Sequence, residues 1–305
     1  MEIIKFYPIH KPTIWGSETW IASAVKGDES IVSEGCYKGM SLTEIVERFG
    51  SAFLGEANSA RFGKDFPLLI KMIDAQQDLS IQVHPDDKLS AERHGKMGKN
   101  EMWYIVDADH GCQLIAGFKH HLDKNDYAKK ISDGSIEEDL GKVDVAPGDC
   151  IYIPAGRVHS IGAGMKIAEI QQTSDVTYRL YDFMRKDANG NTRELHTELA
   201  LDAIDFDDIV EDPKTKYADE RNTVVTLVES PFFNTNKLTL LFNVGNYVVD
   251  RYFCGCTGGC GHRKNRYTLI LGICNTFQTS YVCKPWVRDD NTHCFCRIHG
   301  RTSAD

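Results

Sequence analysis

A glutamine and a histidine lie two residues apart in the stretch LSIQVHP, at Gln82 and His84. Side chains of an extended strand alternate between its two faces, so both residues share a face with Ser80. The opposite face is apolar and consists of Leu79, Ile81 and Val83. The alternation predicts a strand whose polar face lines a binding site. An ordinary strand with one face in water would show the same pattern.

A second stretch, PGDCIYIPAGRVHSIG, favours the binding-site interpretation. Its residues Gly148, Pro154, Gly156 and His159 have the spacing G-x5-P-x-G-x2-H, which matches the second signature motif of the cupin superfamily. Proline and glycine form a tight turn, and the next strand then begins with a histidine that can bind metal. A histidine after a turn is most often structural. At this spacing, and with Gln82 upstream, a metal ligand is the better interpretation.

A carboxylate lies between these two stretches, at Glu101, where a short strand begins after the glycine-containing segment HGKMGKN. Glu101 would complete a donor set of two imidazoles, one amide oxygen and one carboxylate. Mixed nitrogen and oxygen donors suit Zn²⁺, with one or more positions left for water or substrate. Most first cupin motifs offer His-x-His, so the Gln-x-His of this chain is a departure from them.

The elements that must position these residues are mostly short strands. Strand-like runs cover residues 66–73, 79–84, 101–107, 112–118, 149–155, 166–172, 237–244 and 246–253. Helices are predicted over 41–50, where Ser41 and Glu44 form a capping box, and over 122–141 and 193–206. This pattern predicts a mostly β protein of the barrel or sandwich class with helical insertions.

The overall charge constrains the class of partner. The chain has 305 residues and a formal net charge of −9, so its surface should repel nucleic acid and anionic membranes. No segment approaches the roughly 20 apolar residues of a membrane span, and the first residues lack a secretory-signal pattern. We therefore expect a cytoplasmic monomer without nucleic-acid or membrane partners. An anionic substrate would need a local basic patch.

Five segments resemble type I mannose-6-phosphate isomerases, a cupin family. They are KPTIWGSETW, LLIKMIDAQQDLSIQVHPDD, HGKMGKNEMWYIVD, PGDCIYIPAGRVHSIGAG and EIQQTSDVTYRLYDFMR. The resemblance extends over roughly residues 1–250. It implies a cupin barrel, one Zn²⁺ per chain, and interconversion of mannose 6-phosphate and fructose 6-phosphate.

The resemblance also assigns residues to the site. It implies that the zinc ligands are Gln82, His84, Glu101 and His159. It implies that Arg179 is the active-site arginine, with Lys71, Ser80 and Lys99 lining the substrate pocket. The basic patch for the phosphate would then consist of Lys71, Lys99 and Arg179.

The proton transfer of such an isomerase needs a general base. Glu169, on the strand after His159, is the candidate base by similarity to the family. Arg179 would stabilise developing negative charge or hold the substrate, and Lys99 completes the predicted catalytic set. His196, within the predicted helix 193–206, is a further polar candidate for which a structural role is the better interpretation.

The chain is predicted to contain a catalytic barrel at 1–225 and a smaller cupin-like β segment at 226–305. From residue 254 its composition changes: seven of the ten cysteines follow, and the net charge is +4 against −13 before it. One explanation is a metal-binding knuckle. Its ligands would be Cys254, Cys256, Cys260 and His262, with Cys294, Cys296 and His299 as further candidates. The other explanation, which we favour, is translation out of the ancestral reading frame.

Two functions of other classes compete with the isomerase. One is another metal-dependent cupin enzyme such as a dioxygenase, since the motif around His159 is shared across the superfamily. The other is a non-catalytic sugar-phosphate-binding cupin. The Gln-x-His pattern and the lysine and arginine set argue against iron-dependent oxygen chemistry.

Overall fold

Antiparallel strands dominate the computed structural model, which describes residues 3–186, 189–244, 247–257, 269–273 and 282–283. The strands are β1 Ile3–Ile4, β2 Ile9–Thr13, β3 Gly16–Ala22, β4 Leu68–Ala75, β5 Ile81–Val83, β6 Glu101–Ala108, β7 Gln113–Phe118, β8 Leu140–Asp144, β9 Cys150–Ile153, β10 His159–Ser160, β11 Met165–Gln172, β12 Tyr178–Tyr181, β13 Val224–Glu229, β14 Asn234–Val244, β15 Tyr247–Thr257, β16 Leu269–Ile273 and β17 Val282–Cys283. The helices are α1 Leu42–Phe49, α2 Ser51–Leu54, α3 Glu56–Phe62, α4 Asp87–His94, α5 Lys124–Asp133 and α6 Thr197–Ala203, with a 3₁₀ turn at Ser135–Glu138. The mostly β prediction is confirmed.

Two facing sheets enclose the site. One has six strands in the order β2-β3-β4-β11-β6-β9, and the other has five in the order β12-β5-β10-β7-β8. Ile73 and Trp103 of the first sheet pack in one buried cluster with Leu114 and Ala116 of the second. The inner faces of the two sheets therefore share a core, as the predicted barrel requires.

Helices cover the outer faces of both sheets. Helix α1 packs Leu42 and Ile45 against the outer face of the six-stranded sheet, and its predicted capping box is present, since Ser41 Oγ accepts from the backbone N of Glu44. Tyr127 of α5 lies in the cluster on the outer face of the five-stranded sheet. This covering keeps the barrel interior as the place where polar side chains converge.

Some predicted boundaries and one predicted face are wrong. Leu79 packs in the inner cluster rather than with Ile81 and Val83 outside, because β5 begins only at Ile81 and its alternation does not extend back. The predicted helix 122–141 is the shorter α5, and the 3₁₀ turn and the start of β8 occupy its remainder. His196 precedes α6 as its N-cap residue instead of lying within a helix.

A separate sheet follows the barrel strands. Its order is β13-β14-β15-β16, and the predicted runs 237–244 and 246–253 fall almost entirely within β14 and β15. The division at 225/226 stays a prediction. Of the proposed knuckle, Cys254 and Cys256 lie on the β15 backbone, and the remaining candidates lie outside the described residues. Among the described helices, none has the length and apolar character needed to cross a membrane.

Candidate metal centre and active site

Three of the predicted site residues meet on one sheet. In the pairing of β10 with β5, His159 lies opposite Gln82, and on the other side of β5, Arg179 of β12 lies opposite the same glutamine. Residues directly opposite each other in antiparallel strands point to the same face. Gln82, His159 and Arg179 therefore all project from one face, the polar face that the alternation of LSIQVHP predicts.

The other sheet supplies the carboxylates. Glu169 of β11 lies between Lys71 of β4 and Trp103 of β6. Glu101 is two residues before Trp103 on the same strand, so it shares the inward face. Both carboxylates are almost completely buried, with 0% exposure for Glu101 and 3% for Glu169. The two facing sheets thus direct the predicted ligands and the predicted base into one interior.

His84, Glu101 and His159 converge closely enough to hold one metal ion. The Nε2 atoms of the two histidines are 3.2 Å apart, and the Glu101 oxygens lie 3.4 Å from His159 Nε2 and 3.5 Å from His84 Nε2. Four ligands about 2.1 Å from a zinc ion are separated by about 3.4 Å along the edges of the tetrahedron. The observed separations fit that geometry.

The protonation state of the histidines suits metal binding. Nδ1 of His84 donates to the Val176 carbonyl at 2.9 Å, and Nδ1 of His159 donates to the Arg157 carbonyl at 2.8 Å. Burial lowers the pKa of His84 to about 3 and that of His159 to about 4. Both rings are therefore neutral near pH 7 and present their Nε2 lone pairs to each other. The two Nε2 lone pairs, 3.2 Å apart, lie close enough to bind one cation.

The amide of Gln82 reaches the same point. Its Nε2 lies 3.2 Å from His159 Nε2, and a half-turn about the last side-chain bond would place Oε1, the atom that binds metals, at that position. Glu101 Oε1 is buried without a hydrogen-bond partner among the described residues. The Glu101 carboxylate and the Nε2 atoms of His84 and His159 together are a donor set that fits Zn²⁺.

A chain of alternating charges runs through the barrel beside these donors. Lys99 contacts Glu101 and lies 2.9 Å from His84 Nε2. Burial opposes a charge on Glu101, but Lys99 together with His84 and His159 outweighs it and lowers the pKa of Glu101 well below its ordinary value. Lys99 is also 3.9 Å from Glu169, so it bridges the candidate ligand and the candidate base.

Lys71 continues this chain on the other side of Glu169. Its Nζ is 3.0 Å from Glu169 Oε1 and 3.4 Å from Glu18 Oε2. Burial opposes its charge, but the Glu169 and Glu18 carboxylates raise the pKa of Lys71 above its ordinary value. Lys71 is thus a buried cation that already has two anionic partners.

Replacing Lys71 with methionine should therefore destabilise the fold. The change keeps the shape of the side chain but removes the buried cation between Glu18 and Glu169 and leaves Glu169 with the longer Lys99 contact alone, so we expect the free energy of unfolding to fall by about 3–5 kcal/mol. Urea unfolding at pH 7 measures this. Lys11→Met is the control, since Lys11 pairs with Asp28 at the surface and its loss should cost about 1 kcal/mol or less. Equal losses in the two variants would contradict the structural role of Lys71.

Sequence reasoning missed Glu18 and its neighbour Trp20. Trp20 Nε1 donates to Glu18 at 2.6 Å, and Trp20 lies opposite Lys71 in the pairing of β3 with β4. Glu18 falls inside the quoted segment KPTIWGSETW, but that segment has no strand-like apolar alternation. Only a predicted pairing of this segment with the strand of Lys71 would have placed it in the site.

A second missed group lies beside Arg179. The buried Asp182 binds two arginines: Arg193 through Nε at 2.7 Å and Nη2 at 2.5 Å, and Arg185. Arg179 donates through Nη1 to the Glu194 carbonyl at 2.8 Å, whereas its buried Nε has no hydrogen-bond partner among the described residues. Arg179, Arg185 and Arg193 face two carboxylates, those of Asp182 and Glu194, so this part of the site carries a net positive charge.

The remaining predicted residues have clear positions. Ser80 is buried, with 3% exposure, beside Gln82 in the chain. His196 accepts a hydrogen bond from the backbone N of Arg179 through Nδ1 at 3.0 Å, so it supports β12 as a structural residue would. The two lysines, the carboxylates, the two histidines and Gln82 therefore converge inside the barrel, and Arg179 shares the face of Gln82. The chemical role of each residue stays a prediction.

Comparison with known proteins identifies the family of this site. Residues 5–121 match the family described as "Phosphomannose isomerase type I, catalytic domain". Mannose-6-phosphate isomerase ManA of Bacillus subtilis is 37% identical over 257 residues, which cover 78% of this chain and 80% of that protein. Mannose-6-phosphate isomerase of Streptococcus mutans is 37% identical over 226 residues, which cover 74% and 70%.

The fold agrees with these identities. The crystal structure of mannose 6-phosphate isomerase from Bacillus subtilis superimposes with a TM-score of 0.72 at 28% identity, covering 90% of this chain and 98% of that one. Two facing antiparallel sheets with few helices are the cupin architecture predicted from the motif around His159. The chain belongs to the type I mannose-6-phosphate isomerase family.

Proposed function

We propose that this protein is a zinc-dependent aldose–ketose isomerase that interconverts mannose 6-phosphate and fructose 6-phosphate. The observation that carries the proposal is the convergence of His84, Glu101 and His159 inside the barrel of a member of this family. Family membership supports the substrate, and the buried donor set supports a metal-assisted mechanism.

The metal would be held by Gln82, His84, Glu101 and His159, one ion per chain. A zinc ion held there would supply Lewis-acid chemistry for the sugar carbonyl, which would acidify the proton on the neighbouring carbon. The neutral imidazoles and the ionised Glu101 are the protonation states that binding requires. The proposed ligands offer nitrogen and oxygen atoms and no thiolate, and such a donor set suits zinc in this role.

Glu169 would move the proton between C2 and C1 of the open-chain sugar. Its Oε2 accepts from Trp103 Nε1 at 2.9 Å and its Oε1 faces Lys71 at 3.0 Å, so the carboxylate is held in one orientation. A fixed carboxylate near the metal centre can act as base on one carbon and return the proton to the other. Lys99, between Glu169 and Glu101, would hold both carboxylates in place as charge develops on the substrate oxygen.

The formal charges of the buried side chains favour Arg179 as the group that binds the phosphate. Lys71 and Lys99 contribute +2, and Glu18, Glu101 and Glu169 contribute −3, so the interior carries −1 with neutral histidines. Both lysines are thus occupied by carboxylates. A bound Zn²⁺ would bring the sum to +1.

Arg179 has a buried Nε free of hydrogen-bond partners within the described chain. Its side chain projects from the same face as Gln82. With Arg185 and Arg193 nearby, it is the cationic group best placed to bind the substrate's phosphate or a developing negative charge. Ser80 would add a hydroxyl to this lining.

A coupled assay for fructose 6-phosphate formation, run with metal analysis, tests the proposal. We expect isomerase activity in the purified protein, loss of that activity after chelation, and recovery when Zn²⁺ is added. Oxygen consumption that depends on iron, without isomerase activity, would instead support a cupin dioxygenase. Sugar-phosphate binding without turnover in the zinc-loaded protein would support a non-catalytic binding protein.

Several properties go with this proposal. A cytoplasmic location, a monomeric state and a role in carbohydrate metabolism fit a sugar-phosphate isomerase without a membrane-spanning helix in the described part of the chain. We also propose that residues 1–225 form the catalytic barrel and that 226–305 form the smaller cupin-like segment.

Gene sequencing decides between a metal knuckle and a shifted reading frame for the residues after 254.

A further inference from the structure

We infer that Asn100 is a positioning residue that holds the three ligand-bearing segments of the proposed metal centre in register. The inference rests on that centre, whose ligands His84, Glu101 and His159 come from three separate segments of the chain. Asn100 directly precedes Glu101 and is only 3% exposed. Its side chain points away from the ligand next to it and links the other two segments.

The first link goes to the turn that leads into His159. Asn100 Oδ1 accepts hydrogen bonds from the backbone N of Ala155 at 3.0 Å and from Tyr152 Oη at 3.1 Å. Ala155 lies in the turn between β9 and β10, and β10 begins at His159. The side chain beside Glu101 therefore fixes the turn that delivers the second histidine.

The second link goes to the segment that follows His84. Nδ2 of Asn100 donates to Gln172 Oε1 at 2.7 Å, and the backbone N of Asn100 donates to the same oxygen at 2.9 Å. Gln172 Nε2 in turn donates to Asp87 Oδ1 at 3.0 Å. Asp87 is the first residue of α4, three residues after His84. The network therefore sets the path of the chain as it leaves the first histidine.

Backbone donors fix the direction of every amide in this network. The backbone N of Ala155 can only donate, so Asn100 presents Oδ1 to it and must direct Nδ2 toward Gln172. Gln172 likewise presents Oε1 to the backbone N of Asn100 and directs Nε2 toward Asp87. The Asp87 carboxylate also accepts from the backbone N of Gly98 at 2.8 Å. The amides of Asn100 and Gln172 are buried and each of their donors meets an acceptor, which favours a single arrangement of the segments they link.

The loop before Asn100 packs closely against the start of α4. A Cβ atom at Gly98 would lie 2.4 Å from the backbone of Asp86 and Asp87, so only glycine fits there. The backbone N of Lys99 donates to the Pro85 carbonyl at 3.1 Å. The segments of His84 and Glu101 are thus in backbone contact, and the Asn100 side chain adds the third segment to them.

Zinc affinity of the full-length protein, measured by competition with a chromophoric chelator, tests this inference. We expect Asn100→Ala to lower zinc affinity by about 10- to 100-fold, the usual loss when a residue that orients metal ligands is removed. Tyr152→Phe removes only the hydroxyl that donates to Asn100 Oδ1 and should lower zinc affinity less, which keeps the test informative if Asn100→Ala does not fold. The visible spectrum of the Co²⁺-loaded variant should change as well, because it reports ligand geometry.

Ser30→Ala is the matched control. Ser30 is fully buried, and its Oγ accepts a hydrogen bond from the backbone N of Ser23, far along the chain from the ligands. We expect this variant to lose thermal stability and to keep its zinc affinity within about twofold.

The outcomes separate the inference from the proposed function. Wild-type protein that binds zinc and isomerises its substrate, with unchanged zinc affinity and Co²⁺ spectrum in both Asn100→Ala and Tyr152→Phe, would overturn the inference and leave the function intact. An equal loss of zinc affinity in Ser30→Ala would also overturn the inference, because reduced stability alone would then explain the lower affinity. Wild-type protein without zinc affinity would overturn the metal centre itself, and the inference with it.

Discussion

Replacing His159 with alanine should remove zinc and isomerase activity together. His159 supplies one of the two neutral imidazoles, and its Nε2 lies within 3.5 Å of both His84 and Glu101. Without it the remaining donors cannot surround an ion, and loss of a Lewis acid worth several kcal/mol should lower kcat/KM by roughly 10³-fold. Zinc content per chain and kcat/KM, measured on the same preparation, check both effects.

His94→Ala is the control for this experiment. His94 is an exposed histidine whose Nε2 lies 2.8 Å from Tyr178 Oη, so its loss removes an imidazole and a hydrogen bond outside the donor set. The control should keep its zinc. A His159→Ala protein that retained one zinc per chain and normal turnover would show that the ion, if present, binds elsewhere.

The Glu169→Gln variant should keep its zinc and lose most of its turnover. Glutamine preserves the size of the side chain and an oxygen for the Trp103 hydrogen bond, but it cannot accept a proton. General-base catalysis contributes about 10²- to 10⁴-fold, so kcat should fall by about that factor. Steady-state kinetics and metal analysis on the purified variant measure the two effects.

Glu18→Gln provides the comparison for this variant. Glu18 contacts the same lysine as Glu169, at 3.4 Å, but among the described residues it forms no ion pair with Lys99, as Glu169 does. Its loss should reduce turnover much less than that of Glu169. Retained zinc with unimpaired turnover in Glu169→Gln would remove this carboxylate from the role of base.

Local sequence patterns predicted the parts of the site whose geometry depends on a single strand or a single turn. Strand alternation placed Gln82 and His84 on one face, and the turn spacing placed His159, because both depend only on neighbours in the chain. The contact of Lys99 with Glu101 also follows from their separation by two residues in an extended segment. These relations hold whatever sheet the strands join.

Relations between distant strands could not be predicted in the same way. The pairing of Lys71 with Glu18 depends on β3 lying beside β4, and the Asn100 network depends on the ends of β6 and β11 meeting near α4. Leu79 illustrates the same limit on a smaller scale, since the start of β5 decides which face it joins. Register across a sheet is set by the whole fold and not by a local pattern.

The turn that carries Arg185 shows a different limit. Phe183 and Met184 both have a φ of 53°, in the left-handed region that bulky residues disfavour at a cost of about 1–3 kcal/mol each. Contacts of Arg185 with Asp182 and with the Asp78 carbonyl hold this turn in place. Residue preferences argue against such a turn at this point, so sequence reasoning could not have placed Arg185 next to Arg179.

X-ray absorption spectroscopy at the zinc edge tests the central claim most directly, because it identifies the atoms around the ion in the purified protein. The account predicts one zinc per chain with nitrogen and oxygen neighbours at about 2.0–2.2 Å, including two imidazoles. Sulfur neighbours at about 2.3 Å would instead place the ion at cysteines, seven of which follow from residue 254 onward. That result, or the absence of bound zinc, would contradict a metal centre built from Gln82, His84, Glu101 and His159.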